Sequence, residues 1–321
     1  MVARELTTAA VVNRLIGAPV RPIGVPLWLG AERRGADLAP AALDAGLRER
    51  WHRGRRLELL ARLAPGTTVA VIEPDDADAR IDARTLAFLP EVTAACRETA
   101  GAVARAIAAG ALALTLGGDH AVAAGSIAGA ARATAPGRLG VLWIDTHPDL
   151  NTPKSSPSGH LHGMALAAPL GFGVPGLGEL GPPVDPADVC LLGARDIDPG
   201  ERDAIAGQGI WMLTMEEWSD TGLLPGLDAA LVYLAGRDVD AVNLSFDLDV
   251  LDPAMLPGTG TAVPGGLIYR EASQVLRRLQ AWDGPIHSVD WTELNPRLDP
   301  SGCSTEAAIG LLATLLGETM R

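Results

Sequence analysis

The chain has 321 residues, of which 48% are hydrophobic and 20% charged, and a formal net charge of −13 at pH 7. This is the balance of a globular protein long enough to bury a substantial core, and it excludes a nucleic-acid partner, because no basic stripe exists to neutralise phosphates. No run reaches the roughly 18 uncharged apolar residues of a membrane span, no apolar segment of signal-peptide type follows Arg4 and Glu5, and Cys96, Cys190 and Cys303 give neither a zinc spacing nor a disulfide framework, so a cytoplasmic protein without membrane contact is expected.

Taken in order, Arg21–Leu27 reads as a first strand broken by prolines, and Ala41–Trp51 as a helix after a loop rich in glycine and charge. Thr68–Glu73 is a β-branched run between Pro65-Gly66 and Pro74, which predicts a strand. Arg84–Ala109 has apolar residues at i, i+3 and i+4 and predicts a helix. Strand Leu112–Leu116, helix Ala121–Ala135 and strand Gly140–Asp145 follow. A helix is expected over Gly159–Leu170, a strand over Asp188–Leu192 and helices over Pro199–Ala206 and Leu223–Ala235. The chain closes with strand Ala241–Phe246, helix Tyr269–Ala281, strand Ile286–Val289 and helix Thr305–Gly317. Strands and helices alternate with no linker and no repeat, which predicts α/β architecture: one doubly wound, mainly parallel sheet with helices on both faces. In such sheets ligands bind beyond the C-terminal ends of the strands.

The polar residues gather at those ends. Gly140–Asp145 runs into DTHPD, and on an extended chain Asp145, His147 and Asp149 would point the same way. Leu112–Leu116 ends in GGDH, which leaves His120 at the mouth of the sheet. Ala241–Phe246 ends in Asp247-Leu248-Asp249, and Ile286–Val289 in Asp290-Trp291-Thr292-Glu293. A lone DxD or GGDH is weak, and Asp149 and Asn151 could simply make turn hydrogen bonds. Two imidazoles and four carboxylates from three strand ends are stronger, because such groups repel or desolvate one another unless a cation joins them. Six ligands of this kind suit two divalent ions, and oxygen-rich ligation with some imidazole favours manganese over zinc. Two metals roughly 3.5–4 Å apart would bridge a hydroxide that is a nucleophile at neutral pH.

GGDH at 117–120, DTHPDLNTP at 145–153, SGHLHGM at 158–164 and SFDLDVLDP at 245–253 resemble the ureohydrolase (arginase and agmatinase) family in order and spacing. LGAERRGADLAPAAL (29–43), ARDIDPGE (194–201), PGTGTAVPGGLIYRE (257–271) and ELNP (293–296) look like its arginase branch, so the likeness covers nearly the whole chain. It implies one domain over residues 1–321 and a two-manganese site held by His120, Asp145, His147, Asp149, Asp247 and Asp249. It further implies that Asp149 orients the bridging hydroxide, that His162 shuttles protons and that Glu293 pairs with the guanidinium. Asn151, Ser158 and His160 would face the substrate's α-carboxylate, and Asp198 with Glu201 its α-amino group.

The implied reaction is cleavage of a small guanidino substrate, with L-arginine giving L-ornithine and urea, in a homo-trimer or homo-hexamer. N-hydroxyarginine or another guanidino acid is the nearest alternative substrate. A metal-binding regulatory homologue without turnover is the remaining alternative, and the joint presence of the ligand set, His162 and Glu293 weighs against it. The main departure is SGHLHG where arginases have SGNLHG, which puts a bulkier, titratable His160 at a position expected to read the amino-acid end of the substrate. Asp119, Asp252 and Arg195 are expected to serve turns and to support the ligands, and His287 to be a core residue.

Overall fold

The computed structural model describes residues 13–52, 61–80 and 86–318. Strand β1 (Val20–Val25) leads through a one-turn 3-10 helix (Ala36–Leu38) into α1 (Ala39–His52). Then come β2 (Thr67–Thr68), the single turn α2 (Ala77–Arg80), α3 (Leu89–Ala108), β3 (Leu112–Gly117), α4 (Val122–Thr134) and β4 (Leu139–Ile144). After a long loop follow β5 (Val189–Ala194), α5 (Pro199–Gln208), β6 (Trp211–Thr214), α6 (Met215–Thr221) and α7 (Leu223–Gly236). The last elements are β7 (Ala241–Asp247), α8 (Tyr269–Gln280), β8 (Ile286–Thr292) and α9 (Cys303–Leu315).

The strands form one eight-stranded sheet in the order β2-β1-β3-β8-β7-β4-β5-β6, with every pairing parallel. Strand residues divide by pleat between two hydrophobic layers. On β4, Val141 and Trp143 pack into the layer beneath α3 and α4, while Leu142 and Ile144 join α1, α7, α8 and α9 on the opposite face. Cover on both faces explains why β3, β4 and β5 are buried at every position and, Thr115 apart, apolar and not alternating. No helix among the described residues is long and apolar enough to cross a membrane.

Several expected elements differ. Only Thr67–Thr68 of the Thr68–Glu73 region pairs with the sheet. One further bond, Val69 N to Gly24 O at 2.8 Å, follows before the chain peels away and leaves Ile72 79% exposed. The sheet also gains β6, and α6 follows it directly, neither of which was expected. Trp211–Thr214 is half-buried along its length and abuts a helix without an intervening loop, so it lacks the turn punctuation that marks a strand. The Gly159–Leu170 helix is replaced by a single 3-10 turn, His162–Met164, followed by turns. Both Leu166 N and Ala167 N are drawn to the Asp149 carbonyl, which ties this segment to the end of β4. The expected start of the helix at Arg84 lies outside the described residues; Glu91 on α3 pairs with Arg80 at 2.9 Å.

With all strands parallel, their C-terminal ends share one edge. The four strands that carry the expected ligands and Glu293, namely β3, β8, β7 and β4, are adjacent in the middle of the sheet. The turn after β3 is the tightest point of this edge. Gly118 N donates to Val25 O at 3.0 Å, Glu293 N donates to Gly118 O at 2.9 Å, and a Cβ at Gly118 would lie 1.7 Å from the Leu27 carbonyl oxygen. Gly118→Ala is therefore expected to destabilise the protein by about 1–3 kcal/mol or more. Gly207→Ala, in α5 with open space around its Cβ position, is expected to raise stability by about 0.4–1 kcal/mol. Chemical denaturation of both variants checks the contrast; equal stabilities would mean that the close approach at Gly118 is not a constraint.

Candidate metal centre

His120 follows the Gly118 turn. The Asp119 carboxylate fixes this turn by accepting from Gly30 N at 2.8 Å and Ala121 N at 3.0 Å, which is the turn role expected of it. The His120 ring stacks on Trp143 of β4, 4.2 Å between centroids and 13° from parallel. Its Nδ1 stands 3.0 Å from Asp145 Oδ2, 3.2 Å from Asp149 Oδ2 and 2.8 Å from Asp247 Oδ2. His147 Nδ1 stands 3.0 Å from Asp249 Oδ2 and 3.6 Å from Asp145 Oδ1. Two groups of ligand atoms therefore lie within 4.8 Å of one another, His120 with Asp145 and Asp149, and Asp145 with His147 and Asp249. Asp145 belongs to both.

These six residues converge, but strand alternation does not bring them together as expected. β4 ends at Ile144, before the first of its carboxylates. Asp149 then adopts φ 50°, a left-handed conformation that aspartate tolerates better than most residues. Similarly Asp247 closes β7, and Asp249 sits in the 3-10 turn Leu248–Val250, where its N–H donates to Asp247 Oδ1 at 2.7 Å. Turns capped by the ligands' own carboxylates aim the cluster.

Nearly all of it is buried: Asp145 and Asp249 are 1% exposed. Yet His120 Nδ1 and Asp145 Oδ2, sealed from solvent, complete no hydrogen bond. Without a cation, protons must balance the charge. Burial and then Asp249 and Asp145 drive Asp247 well above the usual carboxylate range. Against burial, Asp247, Asp145 and Asp149 raise His120 and Asp249 and Asp145 raise His147, while the two imidazoles hold Asp145 low. Burial, opposed by His120 and assisted by Asp145, pushes Asp149 up to about 6. A pair of divalent ions would replace those protons with fixed charge and occupy the lone pairs that now face one another. The donor set fits such ions.

Beside the cluster, Glu293 stands at φ 64°. Its Oε1 accepts from His120 N at 2.7 Å and lies 3.4 Å from His162 Nδ1. Burial opposes protonation of His162, but Glu293, Asp149 and Asp119 outweigh it and raise the imidazole to about 9. Glu293 is held below its ordinary range despite burial, chiefly by His162. Of the residues expected to face substrate, Asn151, Ser158, Asp198 and Glu201 line one cleft with His147, Asp149 and His162. Asn151 Nδ2 donates to Asp198 Oδ2 at 2.8 Å. Both Glu201 oxygens are taken by backbone, Oε1 by Leu150 N at 3.0 Å and Oε2 by Asp198 N at 2.9 Å, so Glu201 ties the loop after β4 to α5. His160 does not line that cleft. Its ring lies 6.0 Å from that of His162, and the residue lines a small neighbouring hollow with Gly30, Ala31 and Phe88; burial and then His162 depress its pKa.

Some residues that brace the site had no role in the sequence reading. Thr261 Oγ1 donates to Asp249 Oδ2 at 3.0 Å, and Thr146 Oγ1 to Asp249 O at 2.7 Å. A threonine inside DTH and another inside GTGT carry no pattern of their own beyond the family motifs that contain them. Arg195 was expected to serve in support, and its guanidinium donates to the carbonyls of Asp249, Leu251, Val263 and Pro264. Asp252 serves its turn through Ala254 N and Gly265 N. His287 takes no part in either ligand group.

The Arginase family profile matches residues 18–317. The arginase of Bacillus caldovelox is 40% identical over 307 residues, which cover 94% of this chain and 99% of that protein. Among solved structures, arginase from Bacillus subtilis superposes with a TM-score of 0.83 at 36% identity, over 95% of this chain and 100% of that one. The Entamoeba histolytica arginase in complex with L-ornithine superposes with the same TM-score of 0.83 at 30% identity and the same coverage, 95% and 100%.

The shared position of Asp145 generates a prediction. Replacing it with alanine should abolish binding of both divalent ions, whereas Asp249→Asn should weaken one site and leave the other occupied. Metal analysis of the dialysed variants checks this, and full occupancy in Asp145→Ala would remove the assignment of a shared ligand.

Proposed function

The chain belongs to the arginase family, and on that premise we propose that it converts L-arginine to L-ornithine and urea at a two-manganese centre. Membership makes it a hydrolase acting on C–N bonds of linear amidines. The finer reading assigns His120, Asp145, His147, Asp149, Asp247 and Asp249 as ligands of two Mn²⁺. When bound, the ions supply the acidity that makes water nucleophilic at neutral pH. The observation that carries the reading is the position of Glu293 and His162. These two groups lie side by side against the ligand cluster, are charged in opposite senses, and belong to neither ligand group.

Glu293 offers a carboxylate that a planar guanidinium can meet through two parallel N–H donors, and this holds the electrophilic carbon in place beside the ligand cluster. His162, which burial disfavours but Glu293 draws toward its protonated form, donates a proton to the leaving amine. Asn151 and Ser158 bind the α-carboxylate end. Asp198 binds the α-amino group, with Glu201 holding Asp198 from behind. The described elements all attach to one sheet, which supports a single domain over residues 1–321. Cys96 and Cys190 are buried and unpaired and Cys303 is free, which fits a cytoplasmic enzyme; a homo-trimer or homo-hexamer completes the proposal.

Purified protein supplied with Mn²⁺ should release urea from L-arginine and lose that activity on dialysis against chelator. Glu293→Gln should lower kcat/KM by on the order of 10²-fold with the Mn²⁺ content unchanged. A variant purified with less Mn²⁺ than the wild type would reassign Glu293 as a ligand, and wild-type kcat/KM with full Mn²⁺ would remove its role in binding the guanidinium.

His160 supports a second substrate reading, because its ring stands 6.0 Å from that of the proton-donating His162. Its depressed pKa leaves it neutral at pH 7 and above. His160→Asn is therefore expected to change the ratio of kcat/KM between L-arginine and N-hydroxyarginine without reshaping the profile above neutral pH. Identical ratios in the two proteins would make His160 a bystander.

A further inference from the structure

Behind the metal centre, on the sheet face beneath α4, lies a buried polar stripe that the proposed reaction does not use. Thr115 on β3, Asp290 on β8 and Ser245 on β7 stand in one transverse row, since Thr115 pairs in register with Asp290 and Asp290 with Ser245. One step below, Asn243 pairs with Ser288 and donates to its Oγ at 2.9 Å. Thr115, Ser126, Asn243, Ser245, Ser288 and Asp290 are all 0% exposed. In a layer otherwise built of apolar side chains this costs folding energy unless each group is satisfied. Neither oxygen of Asp290 reaches full hydrogen-bond geometry, though Ser126, Asn243 and Thr115 stand close enough to pull down a carboxyl that burial raises to about 7.

The row meets the metal centre at one atom. His120 Nε2 lies 2.8 Å from Ser245 Oγ, while Nδ1 faces the oxygens of Asp145, Asp149 and Asp247. A ring that gives a metal the lone pair of Nδ1 must carry its proton on Nε2. Ser245 Oγ then accepts that proton's hydrogen bond, which leaves its own hydroxyl hydrogen to donate. The adjacent carboxylate in register is Asp290, the only ionisable member of the row. Metal-bound imidazoles commonly pass their second N–H to a carboxylate, which fixes the tautomer and makes the ring a better donor.

We infer that Ser245 and Asp290 form a relay that holds His120 in the tautomer with Nδ1 free and so set the affinity of the centre for its cation. They are positioning residues, acting through His120 without touching substrate. The relay explains why a carboxylate is retained inside an apolar sheet, and why a serine stands in β7 opposite the ligand's far nitrogen. This inference rests on the metal-centre reading above.

The test uses the full chain, stripped of metal and titrated with Mn²⁺ alone. Ser245→Ala and Asp290→Asn should each weaken Mn²⁺ binding by about 10–100-fold. Because they act in series, the double variant should be no weaker than the worse single one. Thermal melting of the metal-free proteins separates this from a packing defect, and KM for arginine at saturating Mn²⁺ should stay at the wild-type value. If Asp290→Asn does not fold, Ser245→Ala against Ser245→Thr decides: loss with alanine and recovery with threonine supports the relay. Wild-type affinity in Ser245→Ala overturns it, as do single losses that multiply in the double variant. A wild-type protein that binds no Mn²⁺ overturns the metal-centre reading and the relay together; a wild type that binds while Ser245→Ala is unaffected overturns the relay only.

Discussion

Four carboxylates and two imidazoles buried at one point constrain the rest of this molecule. Coulomb repulsion among carboxylates grows as water is excluded, and the shifts across the cluster record that stress: Asp247 is driven up by burial and its acidic neighbours, and His120 and His147 are driven up to compensate. No helix or single strand could gather these groups. A parallel sheet can, because it delivers the C-terminal ends of β3, β8, β7 and β4 to one edge at strand spacing. The two hydrophobic layers that flank the sheet keep those ends rigid and dry.

Rigidity at the strand ends does not come from the strands themselves. Each loop is braced by side chains that bond to backbone. Asp119 holds Gly30, whose carbonyl in turn accepts from His162 N at 3.0 Å. Glu201 joins Leu150 to Asp198, and Arg195 gathers the carbonyls of Asp249, Leu251 and Val263. Thr146 reaches Asp249 through its hydroxyl and, at 3.3 Å, its N–H. Every such bond also removes a buried polar group from the unsatisfied set, so placing the ligands and satisfying the loops are met by the same contacts.

The fold class was legible because continuous apolar runs and amphipathic helices alternate without a break, and that pattern has few solutions. What failed was local. Thr68–Glu73 has strand composition, but Pro74 and an edge position let only Thr67–Thr68 pair. Trp211–Thr214 lacked boundaries, and Gly159–Leu170 has helical composition that tertiary bonds to Asp149 override. The convergence of the six acids and imidazoles was legible because such groups at three strand ends have few other uses. The stereochemical reason first attached to them was mistaken, since the chain leaves the extended conformation before Asp145 and turns back through a left-handed Asp149. Periodicity reports which face a strand residue takes and says nothing once the strand has ended. His160 illustrates a further limit: a position inside a site motif need not line the cleft that its neighbours Ser158 and His162 line.

The same burial that makes the cluster costly also gives it reach into the sheet. A ligand on a surface loop answers only to solvent, whereas His120 is stacked on Trp143 and bonded to Ser245, both on core strands. Any displacement of its ring must therefore move side chains packed beneath α4, and any loss of cation must be met by protons taken up among groups that share one enclosed space. A cation that bound this arrangement and not the unfolded chain would add its binding energy to folding stability. The burial that strains the metal-free cluster is thus the same feature from which a bound cation would draw its stabilising effect.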